Sequence, residues 1–211
     1  MTRHVAVVSA GLSQPSSTRL LADRLTAAVA RDLADRGDDL RVTVVELRDL
    51  AHDITNAVLT GFAAPDLQDA LVALSAADAV IAVTPTFNAS YSGLFKCFFD
   101  VLEQDALADT PVLLGATGGT ERHSLVLEHA MRPLFSYLGA HVVPVGVYAA
   151  STDWGQGDDA EALARRIARA AAQLVTAVLA SSKQVRTDGF DDLVPFGELL
   201  GRTSTAIDAG V

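Results

Sequence analysis

Short valine-rich runs alternate with longer alanine- and leucine-rich runs along most of this chain, and few folds accommodate that alternation. Residues 5–9, Val-Ala-Val-Val-Ser, form the first apolar run. Others lie at 41–47, 78–83, 111–115 and 142–147, the last broken by Pro144. Between the first two, Leu20, Leu21, Leu25, Ala28 and Leu33 recur at near-helical spacing and predict a helix over 18–34. Helices are predicted over 66–76, 92–103, 121–138 and 158–180 as well. Residues 48–65 read as a long connection with weak signals.

Strands that are apolar on both faces need helices on both sides of their sheet. Right-handed crossovers then leave few topologies. Five such strands predict an α/β three-layer sandwich, a flavodoxin-like five-stranded parallel sheet of order 2-1-3-4-5. Residues 1–180 complete that domain. Residues 181–211 add no strand–helix unit but contain Phe190, Val194, Pro195, Phe196, Leu199 and Leu200. They predict an extension, either packed on the subunit or a partner, or partly disordered.

Composition excludes several functions. Sixteen basic residues against 26 acidic ones give a net charge of −10, which opposes a nonspecific grip on nucleic acid or anionic lipid. One cysteine, Cys97, allows no internal disulfide and no thiolate-rich metal centre within a chain. It reads as a reducing, cytoplasmic setting. The first apolar run is too short for a secretory segment, and no run is long enough to predict a membrane span.

In an open parallel sheet, ligands collect beyond the carboxyl ends of the strands. Three loops leave that edge. The first, 9–19, places Ser16, Ser17 and Thr18 at a helix start, where free N–H groups and hydroxyls suit a terminal phosphate. The same residues are ordinary helix caps. The loop lacks both the dinucleotide glycine triplet and a Walker lysine. The second loop, 85–96, offers planar apolar surface at Phe87 and Tyr91 and polar groups at Asn88, as a flat heteroaromatic ring requires. Core or interface packing would use the two aromatics as well, and Asn88 suits a turn. The third loop, 115–121, carries Gly118 and Gly119, whose backbone can approach a ring and direct N–H groups at its electron-rich edge. A ligand-free tight turn would need the same glycines.

Outside these loops the signals are weak. His123 suits a phosphate or nicotinamide contact, or a helix start. Glu128 and Arg132 are spaced to pair across one turn. Lys96 reads as a surface or interface charge, Cys97 as a small packed side chain, and Trp154 as a pocket rim or a loop anchor. No metal-ligand spacing and no hydrolase elbow is present, and the Asp191-Asp192 pair has no basis for catalysis.

At 9–19, 85–96, 115–119 and 123–135, the last including Glu-His-Ala-Met-Arg-Pro-Leu-Phe, the chain resembles the NADPH-dependent FMN reductase family. It is most similar to the actinobacterial branch that serves luciferase-like two-component monooxygenases, and segment 187–200 shares the likeness. The resemblance implies an FMN phosphate site at Ser9, Ser16, Ser17 and Thr18. It implies ring and ribityl contacts at Pro85, Thr86, Phe87 and Asn88, and an isoalloxazine lined by Thr117, Gly118 and Gly119. It further implies hydride transfer from NADPH or NADH to flavin N5, no catalytic acid–base side chain, and a homodimer or homotetramer with flavin near a subunit interface. One departure stands out. Many relatives carry an arginine inside the first loop, where this chain has Leu12 and Gln14, so phosphate binding is expected to rest on hydroxyls and backbone N–H groups, with Arg19 adding charge if its side chain turns back toward the loop. An FMN-bound quinone, azo-dye or metal-oxyanion reductase, a flavodoxin-type electron carrier and a flavin-free binding protein are the competing readings.

Overall fold

Alternation along β1 (Thr2–Ser9) divides the core into two halves. Val5 and Val7 face one way, Ala6 and Val8 the other, and all four are buried. The structure, a computed structural model, describes residues 1–181; the expected extension beyond them lies outside the described residues. Strands β2 (Asp39–Glu46), β3 (Ala79–Phe87) and β5 (Pro111–Gly118) join β1 in the parallel order β2-β1-β3-β5. A short strand, β4 (Ser90–Tyr91), folds back antiparallel on the end of β3. Two further pieces, β6 (His141–Val142) and β7 (Val147–Ala150), both pair with β5 and together occupy the fifth position. The flavodoxin-like order predicted from sequence is therefore the observed one.

Helices α1 (Ser17–Asp35) and α6 (Asp158–Ala180) cover one face with Leu21, Leu25, Leu33, Leu163, Ile167 and Leu174. The opposite face is covered by α2 (Ala51–Thr60), α3 (Pro65–Ser75), α4 (Gly93–Asp100) and α5 (Arg132–Tyr137). There Phe95, Phe99 and Phe135 meet edge-on or tilted, with centroids 4.7–6.2 Å apart, an arrangement favoured by ring quadrupoles. Helix α2 lies inside the stretch predicted as a connection. It buries only Ile54 and Ala57, too few for a periodic signal, and stops at Gly61 in the left-handed region (φ 77°). Among the described residues no single helix is long and apolar enough to cross a membrane.

The single helix predicted over 121–138 is broken instead. A 3-10 turn (Glu121–His123) and a π turn (Leu127–Met131) precede α5. Pro133 lacks an N–H and would crowd the carbonyl four residues back. The chain widens just before it, with the Arg132 N–H bonding to Leu127 O. That geometry serves the broken fifth strand. Three steps on β5, from Val112 to Gly115, face five between Val142 and Val147. The two extra residues leave ladder groups unpaired. Arg132 donates to Val143 O (3.2 Å) and Pro144 O (3.0 Å), and the Val145 N–H donates to Gln173 Oε1 (2.9 Å). Glu128 holds the guanidinium in a two-point pair at 2.6 and 3.0 Å.

Replacing Arg132 by Met removes those donors while keeping much of the stem. It is expected to lower stability by about 1–3 kcal/mol in urea unfolding; no change would show that water serves the bulge equally well. The Arg132 hydrogen bond holds the Glu128 carboxyl below its ordinary range. Its stabilisation is therefore present above the unfolded value of about 4.3 and is lost as pH falls through the depressed folded value. Arg132→Met should flatten that acid limb of the stability profile.

Candidate functional site

Register brings the three predicted loops together. Ser9 lies beside Val83, whose carbonyl accepts the Ala10 N–H at 2.9 Å. Pro85 lies beside Thr117, and Thr117 beside Ala149. The carboxyl ends of β1, β3 and β5 are thus adjacent. Thr18 on α1 crosses to β5, where its Oγ1 is 2.8 Å from Thr117 Oγ1 in a buried hydroxyl pair.

In the first loop, Ser9 Oγ is fully buried with no hydrogen-bond partner. Ser16 caps α1 by accepting the Arg19 N–H (3.2 Å). A Cβ on Gly11 would lie 2.0 Å from the Ser16 oxygen, so glycine is what lets the loop fold over its own cap. Ser17 is exposed at the first helical position, where backbone N–H groups have no intrahelical acceptor. Arg19 does not turn back. Its Nε donates to Asp23 (2.7 Å) and its Nη1 to Glu46 (2.5 Å), and these carboxylates raise its pKa. An acid on α1 and another at the end of β2 outcompete the loop for its charge.

The second loop is a β3–β4 hairpin. Phe87 pairs with Ser90 across Asn88 (φ 49°) and Ala89 (φ 67°), the positive-φ combination of a tight two-residue turn. A left-handed alanine costs about 1–2 kcal/mol, so the hairpin is held against local preference. Thr84 Oγ1 helps by accepting the Ser92 N–H at 3.1 Å and donating to Pro85 O at 3.0 Å. Pro85 and Thr86 are half-buried at the root, while Asn88 is exposed at the tip. Tyr91 turns toward Phe95, 5.8 Å between centroids, and packs on the core. Phe87 keeps 47% of its surface exposed.

The third loop separates its two glycines. A Cβ on Gly118 would lie 2.1 Å from the Tyr148 hydroxyl, so this glycine makes room for Tyr148. Tyr148 donates to Thr120 O (2.8 Å), and burial raises its pKa, keeping it a neutral donor. Gly119 faces open space: a Cβ there would meet nothing within 4 Å. No loop motif points to Tyr148. It arrives from β7, and only the strand pairing places it under the glycines.

Among the remaining candidates, His123 is exposed. Lys96 pairs with Asp100 one helical turn away. Cys97 packs against the core, and Trp154 lies under the Arg24 guanidinium (5.1 Å), which makes it a loop anchor.

The edge matches an FMN in three respects. It has an unpartnered buried hydroxyl and free helix-start N–H groups for a phosphate, an exposed aromatic face for a ring, and open glycine backbone for the ring's polar edge. Gly118→Ala is expected to cost about 1–3 kcal/mol through overpacking. Tyr148→Phe removes the atom it strikes. In a double-mutant cycle by urea unfolding the pair should couple by about 0.5 kcal/mol or more; additive losses would refute the contact.

Residues 3–155 match the family model described as NADPH-dependent FMN reductase. An FMN reductase (NADPH) of Pseudomonas aeruginosa is 41% identical over 150 residues, covering 71% of this chain and 78% of that protein. An NADH-dependent FMN reductase, SfnE, of Pseudomonas putida is 38% identical, covering 82% and 90%. Among solved structures, an oxidoreductase from Corynebacterium diphtheriae superposes with a TM-score of 0.82 at 48% identity, over 86% of this chain and 99% of the other. The NADH:FMN oxidoreductase EMOB follows at 0.69 and 30% identity, over 87% and 92%. With its sheet order, its three loops and these likenesses in agreement, the chain belongs to the NADPH-dependent FMN reductase family.

Proposed function

We propose that the strand-end cluster is the FMN site of an NAD(P)H-dependent FMN reductase. The observation that carries the site assignment is the meeting of three loops, from β1, β3 and β5, at one sheet edge. Bound FMN supplies the hydride-accepting N5 of its isoalloxazine. The chain's own residues bind and orient. Ser9, Ser16, Ser17 and Thr18 present hydroxyls and helix-start N–H groups to the phosphate. Pro85, Thr86, Phe87 and Asn88 line the ribityl chain and one ring edge. Thr117 and Gly118 set the height of the third loop. Gly119 presents its N–H where negative charge develops on reduction, which favours the reduced state. No side chain need move a proton, and catalysis rests on orientation and limited water access.

Two finer readings belong to the same proposal. Reduced flavin is delivered to a luciferase-like monooxygenase in the cytoplasm; the resemblance to reductases of that kind and the single Cys97 support this. The protein acts as a homodimer or homotetramer. Val58 and Leu59 on α2, Phe62 after it and Val72 on α3 support this through their exposure, with Phe62 at 82% and Leu59 at 79%.

Purified protein with added FMN is expected to oxidise NADPH or NADH, followed by loss of nicotinamide absorbance. Failure with both nucleotides would overturn the reductase reading. The rate should saturate in FMN if flavin is a substrate; independence of added FMN would show a retained cofactor. Leu59→Glu with Phe62→Glu should shift the light-scattering mass toward the monomer, and an unchanged oligomer would locate the interface elsewhere.

A further inference from the structure

An FMN phosphate carries about −1.5 to −2 charges at neutral pH, and a helix N-terminus offers only about half a positive charge. In a chain of net charge −10, a cation beside that site would add attraction that neutral donors do not supply. The basic residue nearest in sequence, Arg19, is held by two carboxylates, Asp23 and Glu46. Ser16 Oγ accepts the Arg19 N–H and keeps its own O–H to donate, while Thr18 Oγ1 is paired with Thr117. The serine hydroxyls of the loop, the buried and unpartnered Ser9 Oγ among them, and the first-turn N–H groups are all neutral.

We propose that Arg48, on the connection after β2, is the cation that binds the FMN phosphate, steered into place by Gln14 of the first loop. This rests on the reductase reading above and deepens it. The Leu47 N–H donates to Ser9 O at 2.9 Å, which brings the start of the β2–α2 connection alongside the loop leaving β1. With its amide oxygen turned toward Arg48, Gln14 accepts from Nη1 at 3.3 Å and from Nη2. An amide orients a guanidinium without neutralising it. Among the described residues the carboxylate that Arg48 meets is Asp49, at 3.5 Å and two-thirds exposed. That contact is longer and more screened than the pairs holding Arg19. Arg48 is itself only 31% exposed. Its planar fork of donors suits a phosphate and has capacity beyond the two contacts to Gln14. The two residues that stand out as a departure in the first loop therefore have different roles: Leu12 is exposed, and Gln14 recruits a cation from a neighbouring connection.

The test compares FMN with riboflavin, which shares the ring and ribityl chain but lacks the phosphate, by calorimetric or fluorescence titration. Wild-type protein is expected to prefer FMN. Arg48→Ala should weaken FMN binding about 10- to 100-fold and leave riboflavin binding within about twofold, collapsing the preference. Arg48→Lys should restore part of it, because a point charge attracts phosphate without the fork. Gln14→Glu gives Arg48 a carboxylate partner and should weaken FMN selectively in the same way. Arg19→Ala should leave the FMN-to-riboflavin ratio unchanged. Equal loss of both flavins in Arg48→Ala, an unchanged FMN affinity, or collapse of the ratio in Arg19→Ala instead would each overturn the assignment. Wild-type protein that binds both flavins equally would overturn it too, leaving the reductase reading intact. Wild-type protein that binds neither flavin would overturn both.

Discussion

A parallel sheet with apolar residues on both faces has to be covered on both faces, and this requirement shapes the rest of the molecule. Helices α1 and α6 close one side with leucine, isoleucine and valine; α2 to α5 close the other with leucines and a phenylalanine cluster. Each crossover returns the chain to the same end of the sheet. The carboxyl ends of β1, β3 and β5 therefore lie side by side. Hydroxyls, glycines and one exposed aromatic ring collect there because the loops at that edge do not have to build the core.

Cross-links between the loops hold the edge in shape. Thr18 and Thr117 join helix α1 to strand β5 through a buried hydroxyl pair. Tyr148 fits beneath Gly118 and secures Thr120. Thr84 fixes the root of a hairpin whose tip takes a left-handed alanine. The first two join residues far apart in sequence; the third is local to its hairpin. Contacts of this kind fix the loops relative to one another, which suits a protein whose contribution is orientation. Electrostatics follow the same logic: Arg19, next to the phosphate loop in sequence, is drawn to acids on α1 and β2, while Arg48 reaches the loop from the adjoining connection.

Much of the fold was legible in the residues. Val5 to Val8 announced a strand buried on both faces, and Leu21, Leu25 and Leu33 announced the helix beside it. Helix α2 was not legible, because two buried residues leave no period. The break before Pro133 was missed because a proline one position into α5 also reads as an ordinary helix start. In the site, the placement of the Ser16–Thr18 and Gly118–Gly119 loops at one edge followed from topology. Tyr91 and Phe87 were indistinguishable in sequence, yet one packs inward and the other stands exposed.

By itself, the sequence determined the sheet order, the edge where the three loops gather and the family, because these rest on hydrophobic period and on loop residues contiguous in the chain. Tertiary structure alone decided which groups are engaged and which remain available. Ser9 Oγ is unpartnered, Thr18 is paired, Gly118 yields space to a tyrosine, and Arg48 meets Gln14 of the first loop while Arg19 is held by Asp23 and Glu46. The physical reason is that hydrogen bonds and ion pairs are won by the nearest partner in space, and a one-dimensional pattern does not record which partner that is.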